Sequence, residues 1–182
     1  LVVTRDAVLG ASRAGLRVRK ELVLGGDRRS PTLTLAMAVT NLSDAPIEAT
    51  LGLEWTLMLL GGGGNPAAWW EVDGRRTGHD STGTAHAVTA LAQGNDYVGI
   101  SVATTVSEPA EAWWAPVETV SNSESGFERV YQGAGLLLSW PLALEPGATR
   151  TVSVSHAVTT AHDRTAEELA AASGGAAPSA GS

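Results

Sequence analysis

Apolar and polar residues alternate with a period of two along most of the chain, the spacing of strands with one buried face. Leu16, Val18, Leu22 and Leu24 fall on one side and Arg17, Arg19 and Glu21 on the other, which predicts an exposed edge strand. Gly25-Gly26-Asp27 then turns the chain, and Leu33, Leu35, Met37 and Val39 alternate with Thr32, Thr34, Ala36 and Thr40. After a second turn, from Asn41 to Pro46, a longer strand carries Ala49, Leu51, Leu53, Trp55, Leu57 and Leu59 on one face. Asp73-Gly74 is a type I′ hairpin signal joining Trp69-Trp70-Glu71 to Arg75-Arg76. Weaker strands are expected at about 85 to 92 and 97 to 105. Leu136, Leu138, Trp140, Leu142 and Leu144 alternate past Pro141, which must sit at an edge or bulge because it has no amide to donate. Val152, Val154, His156 and Val158 form the last apolar face.

Strands joined by turns, with no helices alternating between them, predict an all-β fold, an antiparallel β-sandwich. One domain is expected over residues 1–162. Residues 163–182 read as a short helix, with Thr165 and Glu168 at capping-box spacing, followed by a low-complexity tail. Gly61 to Gly64 form a flexible loop rather than a phosphate cradle, since neither Lys nor Ser/Thr follows at the required spacing.

Charge narrows the partners. The net charge is −7 and Lys20 is the one lysine among twelve basic residues, so no basic face is expected for nucleic acid or an anionic membrane. The longest apolar run, Leu57 to Leu60, is too short to span a bilayer. There is no cysteine, and the four histidines show no metal-ligand spacing, so neither a metal nor a cofactor is expected. The first ten residues lack a secretion signal, which points to a cytoplasmic fragment of a longer protein.

Six tryptophans stand against one phenylalanine and two tyrosines. Trp69-Trp70 and Trp113-Trp114 are adjacent pairs, and neighbours on a strand point to opposite faces, so one of each pair is expected in the core and the other exposed or capped. Trp55 and Trp140 lie in apolar alternation and read as core. The stretch from Trp113 to Trp140 also gathers Glu118, Glu124, Glu128 and Arg129. Indole faces with carboxylates and a guanidinium suit a glycan or a neighbouring domain. The candidate site is therefore Trp113, Trp114, Glu118, Glu124, Glu128 and Arg129, with Trp69 and Trp70. No spacing places two of its carboxylates across a glycosidic bond, so no residue is assigned a catalytic role.

The run from Glu118 to Gly133, with Trp113-Trp114-Ala-Pro116 before it and Leu-Leu-Leu-Ser-Trp140 after it, resembles the C-terminal domain of family-57 α-amylase/4-α-glucanotransferases. The likeness extends over about residues 8 to 160. It implies a galactose-mutarotase-like supersandwich attached to a catalytic (β/α) barrel, with the nucleophilic glutamate and the acid aspartate in that barrel. The expected partners are an α-glucan or oligosaccharide and the barrel of the same parent chain. The same sandwich also serves sugar mutarotases and epimerases, for which His156 with a motif glutamate is the available pair; a purely structural role is the third reading.

Overall fold

The computed structural model describes residues 1–10, 13–62, 64–123 and 126–163. The expected helix at about 164 to 172, and the tail, lie outside the described residues. So does Glu124.

Ten strands are formed among the described residues: β1 (Val2–Leu9), β2 (Ala14–Gly25), β3 (Thr32–Asn41), β4 (Ile47–Leu57), β5 (Ala68–Val72), β6 (Arg75–Gly78), β7 (Gly83–Asn95), β8 (Ile100–Ser123), β9 (Gly126–Leu144) and β10 (Thr149–Thr160). Every pairing is antiparallel. The large layer runs β1-β2-β3-β10-β8-β7-β5-β6. β4 and β9 pair with each other, and β9 joins them to the later half of β8 from Glu111 onward. The two layers therefore share β7 and β8, which cross from one into the other.

The crossing has a local cause. Ala87 adopts a positive φ of 53°, and the β7–β8 register shifts on both sides of Val88. On β8, Ser107-Glu108-Pro109 lies opposite this irregularity, between the ladders on either side. Bulges bend a strand and increase its twist, which is how one strand turns the corner of a sandwich.

Between the layers the period-two faces meet as expected. Met37, Val39, Leu53, Leu136, Leu138, Trp140, Val152 and Val154 are buried in one core, with the Trp55 ring edge-on to His156 at 4.4 Å. At roughly 25 cal/mol per Å2 of apolar surface, each such side chain contributes about 1.5–3 kcal/mol. Pro141 lies opposite Thr50 on the exposed side of β9, beyond the last β8–β9 pair, and its carbonyl accepts from the Arg150 guanidinium. Its missing amide costs no ladder bond there.

One expectation is corrected. The strand around Leu16 to Leu24 is not the edge: β1 pairs with it along its length, from Val2 opposite Glu21 to Leu9 opposite Ala14. β1 escaped notice because Val2-Val3 and Val8-Leu9 are adjacent rather than alternating apolar residues, and Arg5 occupies an inward position.

Candidate functional site

β8 and β9 carry most of the predicted site, and the pleat decides which side each residue takes. Even-numbered positions of β8 from Ala110 to Trp114 face the core, and odd positions face outward. Trp114 packs its indole against Trp70, with ring centroids 6.3 Å apart, and presses on Gly83, where a Cβ would lie 2.1 Å from the ring. Trp113 points the other way and is 57% exposed. The core-and-surface split holds for this pair.

Trp69 and Trp70 behave differently. Trp70 is fully buried and Trp69 is 6% exposed, so neither presents a face to a ligand. Trp69 lies flat on Gly94, donates its Nε1–H to Asp96 at 2.9 Å and is covered by the Arg76 guanidinium 3.8 Å above its ring. Arg76 is held in turn by Glu71 at 2.8 Å. This indole is capped from within.

Cross-strand register assembles the surface around Trp113. Thr84, Trp113, Leu137 and Glu54 form one row across β7, β8, β9 and β4. Glu111 and Ser139 belong to the next row, and His86 Nδ1 bonds the Glu111 carboxylate. Gly52, Gly135 and Ala115 carry almost no side chain, so the indole stands between two hollows. Thr50, Thr84, His86, Glu111 and Ser139 line one, and Glu54, Thr82, Ala115, Pro116 and Leu137 line the other. An exposed ring flanked by hydroxyls, a carboxylate and an imidazole can take the apolar face of a sugar while bonding its hydroxyls. Glu111, His86 and Glu54 were missed from the sequence. The signal for Glu111 was present, since Glu111 and Trp113 are two apart on one strand.

The rest of the predicted cluster lies elsewhere. Beyond Val117 the β8–β9 pair continues as a hairpin past the end of β4, and the register shift between Val117 and Glu118 absorbs one extra residue of β9. Glu118, Val120 and Asn122 share a face with Tyr131, Arg129 and Phe127, and Arg129 bonds Glu118 at 3.2 Å. Glu128 is opposite Ser121 on the other face. Ser121, opposite Glu128, is eight strand residues from Trp113, roughly 26 Å at about 3.3 Å per residue. Glu118 is nearer but, at an even position of β8, takes the opposite face from Trp113. Trp113 and the Glu118–Arg129 pair are thus two surfaces. On the hairpin Phe127 is 85% exposed and Val120 63%.

Tyr131 anchors the hairpin base. Its hydroxyl bonds His79 Nδ1 at 3.1 Å, and His79 Nε2 bonds Gln93 Oε1 at 2.8 Å. One arrangement satisfies both: the tyrosine O–H donates to Nδ1, and Nε2–H donates to the amide oxygen. Burial holds the His79 pKa below its usual value, against the opposing pull of Gln93 and Asp80. Burial also pushes the Tyr131 hydroxyl up to about 12. Both groups stay neutral at pH 7, as the chain of bonds requires. The glycine loop covers them: a Cβ on Gly61 would sit 2.5 Å from His79 Nδ1, and one on Gly62 2.6 Å from the Tyr131 Cβ. These glycines serve close approach.

His156 is buried, bonds Thr104 Oγ1 at 2.9 Å through Nδ1 and packs on Trp55. It is in the core, away from Glu118 and Glu128, so neither of these forms with it the acid–base pair a mutarotase would need. Among the described residues no group of three or more His, Cys, Asp or Glu could hold a metal ion, and no helix is long and apolar enough to cross a membrane.

Comparison with known proteins agrees with this architecture. The sequence model for the family described as "Alpha-amylase/4-alpha-glucanotransferase, C-terminal" matches residues 1–154. Alpha-amylase 1 of Dictyoglomus thermophilum is 27% identical over 140 residues, which is 74% of this chain and 19% of that protein. The crystal structure of 4-alpha-glucanotransferase from Thermococcus litoralis superposes with a TM-score of 0.61 at 18% identity, over 85% of this chain and 20% of that one. A candidate aldose 1-epimerase of Escherichia coli K12 gives 0.66 at 14% identity, over 88% of this chain and 65% of that one. These last two similarities establish the sandwich. The chain spans about a fifth of the length of the amylase and of the glucanotransferase.

Proposed function

Because the chain belongs to the alpha-amylase/4-alpha-glucanotransferase C-terminal family, we propose that it is the accessory β-sandwich domain of a larger enzyme acting on α-glucan, and that it holds the glucan on the outer face around Trp113. The observation that carries this reading is the exposed Trp113 indole between two hollows lined by Glu54, Thr84, His86, Glu111 and Ser139. Bond cleavage or transfer belongs to a catalytic barrel of the parent polypeptide. The domain's part is to keep substrate near it.

Calorimetry with maltoheptaose tests this. Losing a stacking indole costs roughly 0.5–1.5 kcal/mol beyond its area, so Trp113→Ala should weaken binding by about threefold to tenfold. Glu118→Gln should leave affinity unchanged, because that side chain faces the other way. If wild type binds nothing, or if Trp113→Ala binds as well, the glucan reading fails.

A second surface supports a second role for the same domain. Phe127 and Val120, exposed on the hairpin face beside the Glu118–Arg129 pair, suit a protein neighbour, since apolar anchors with an arginine are typical of interface centres. We assign the hairpin to docking of the barrel. The stand-alone mutarotase reading has no comparable support, because its proposed histidine is buried in the core.

A further inference from the structure

β4 leaves one long edge unused. Among the described residues it pairs only with β9, over all eleven positions from Ile47 to Leu57. Pro141 shows which groups are left open. Having no amide, it belongs at a position turned away from β4, and in an antiparallel pair the two opposed residues turn the same way, both together or both apart. Thr50, opposite it, therefore directs its amide and carbonyl to the open side, as do Glu48, Gly52, Glu54 and Thr56 by alternation. No proline, lysine or bulge guards this edge, although such devices normally protect long edges from pairing.

A second, independent observation lies beside it. The layer holding β4 has fewer strands than the layer beneath, and the inward side of β1 and β2 is only partly covered: Leu9, Leu16, Val18 and Leu22 pack on the core, while Val3, Arg5, Ala7 and Lys20 stay exposed. Val3, Arg5, Ala7, Val18 and Lys20 line a groove there, with Val3 50% exposed. Arg5 and Lys20 have no ion-pair partner among the described residues. A strand added to β4 would take the open ladder groups and lay its inner face over this groove. Apolar side chains would meet Val3 and Val18, and carboxylates would meet Arg5 and Lys20.

We propose that β4 is completed by a further antiparallel strand, bearing apolar and acidic residues on its inward face, supplied by the part of the parent polypeptide outside these 182 residues. The proposal rests on the reading of this chain as one domain of a larger enzyme. Coverage points to that source: the chain spans a fifth of the glucanotransferase and 65% of the Escherichia coli sandwich, so about a third of the latter fold has no counterpart here.

Hydrogen exchange of the 182-residue protein and of the full parent polypeptide tests it. The amides of Thr50, Gly52 and Glu54 should exchange freely in the former and slow by roughly a hundredfold in the latter, as paired strand amides do. Thr50→Pro should leave the melting temperature of the 182-residue protein unchanged, since that amide has no partner, yet lower that of the parent. Equal exchange in both proteins would overturn the inference while leaving the glucan reading intact. Protection that grows with concentration in the 182-residue protein would also overturn it, by naming a second copy as the occupant. Loss of maltoheptaose binding with edge protection retained would count against the glucan reading alone.

Discussion

Trp113 and Trp114 are chemically identical neighbours, and the pleat alone gives them different work. Trp114→Ala removes an indole wedged between Trp70 and Gly83, so it should cost about 3–5 kcal/mol of stability and be seen as a lower denaturation midpoint. Trp113→Ala, at a position 57% exposed, should leave the midpoint within about 0.5 kcal/mol of wild type while weakening glucan binding. Equal destabilisation by both would contradict the assigned faces. The sequence made this pair legible because alternation is local. It did not reveal which groups cap Trp69, since Arg76 and Asp96 reach it only after β5, β6 and β7 have paired.

The hairpin shows what an element adds. Its residues stand out in the sequence as a dense run of functional types, which suggests one cluster. A bulge at Val117/Glu118 and the length of the strands separate them instead. Spacing along a strand can be counted, but a one-residue register shift that changes faces leaves no mark in composition. If the hairpin docks the barrel, Phe127→Ser together with Val120→Ser should release the two domains from each other in the parent polypeptide. Limited proteolysis or small-angle scattering would report the release, while maltoheptaose binding by the isolated domain would not change. An unaltered scattering profile would remove docking from the hairpin. The glycine loop needed the same context: Gly61 and Gly62 read as flexibility in sequence and prove to be clearance above His79 and Tyr131.

For the whole molecule, period two was sufficient to anticipate an antiparallel sandwich and most inward residues of β2, β3, β4, β9 and β10, whereas the inward residues of β7 and β8 and the strand order were not legible. Nothing in Thr149 to Thr160 announces that β10 lies between β3 and β8. Buried histidines give the intact fold a pH response. Burial lowers the pKa of both His79 and His156, so the unfolded chain binds protons at a higher pH than the folded one. Their contribution is complete above the unfolded value of about 6.5 and is lost as pH falls from there through the folded values. Melting temperature should thus be flat between about pH 7 and 8 and decline towards about pH 5. His156→Gln should shallow that decline, and an unchanged slope would assign it to other groups.

The place of β10 also sets a timetable. Strand β3 finishes at Asn41, and β8 enters the same layer at Ile100, but the strand that joins them is made after every other described strand. While the chain leaves the ribosome, β1-β2-β3 and β8-β7-β5-β6 can each zip from local hairpins, yet they remain two half-sheets with facing unpaired borders. Only when residues up to about 160 have emerged can β10 slide between them. The closing step joins segments more than a hundred residues apart, which makes it slow, and until then each border is open to the wrong neighbour.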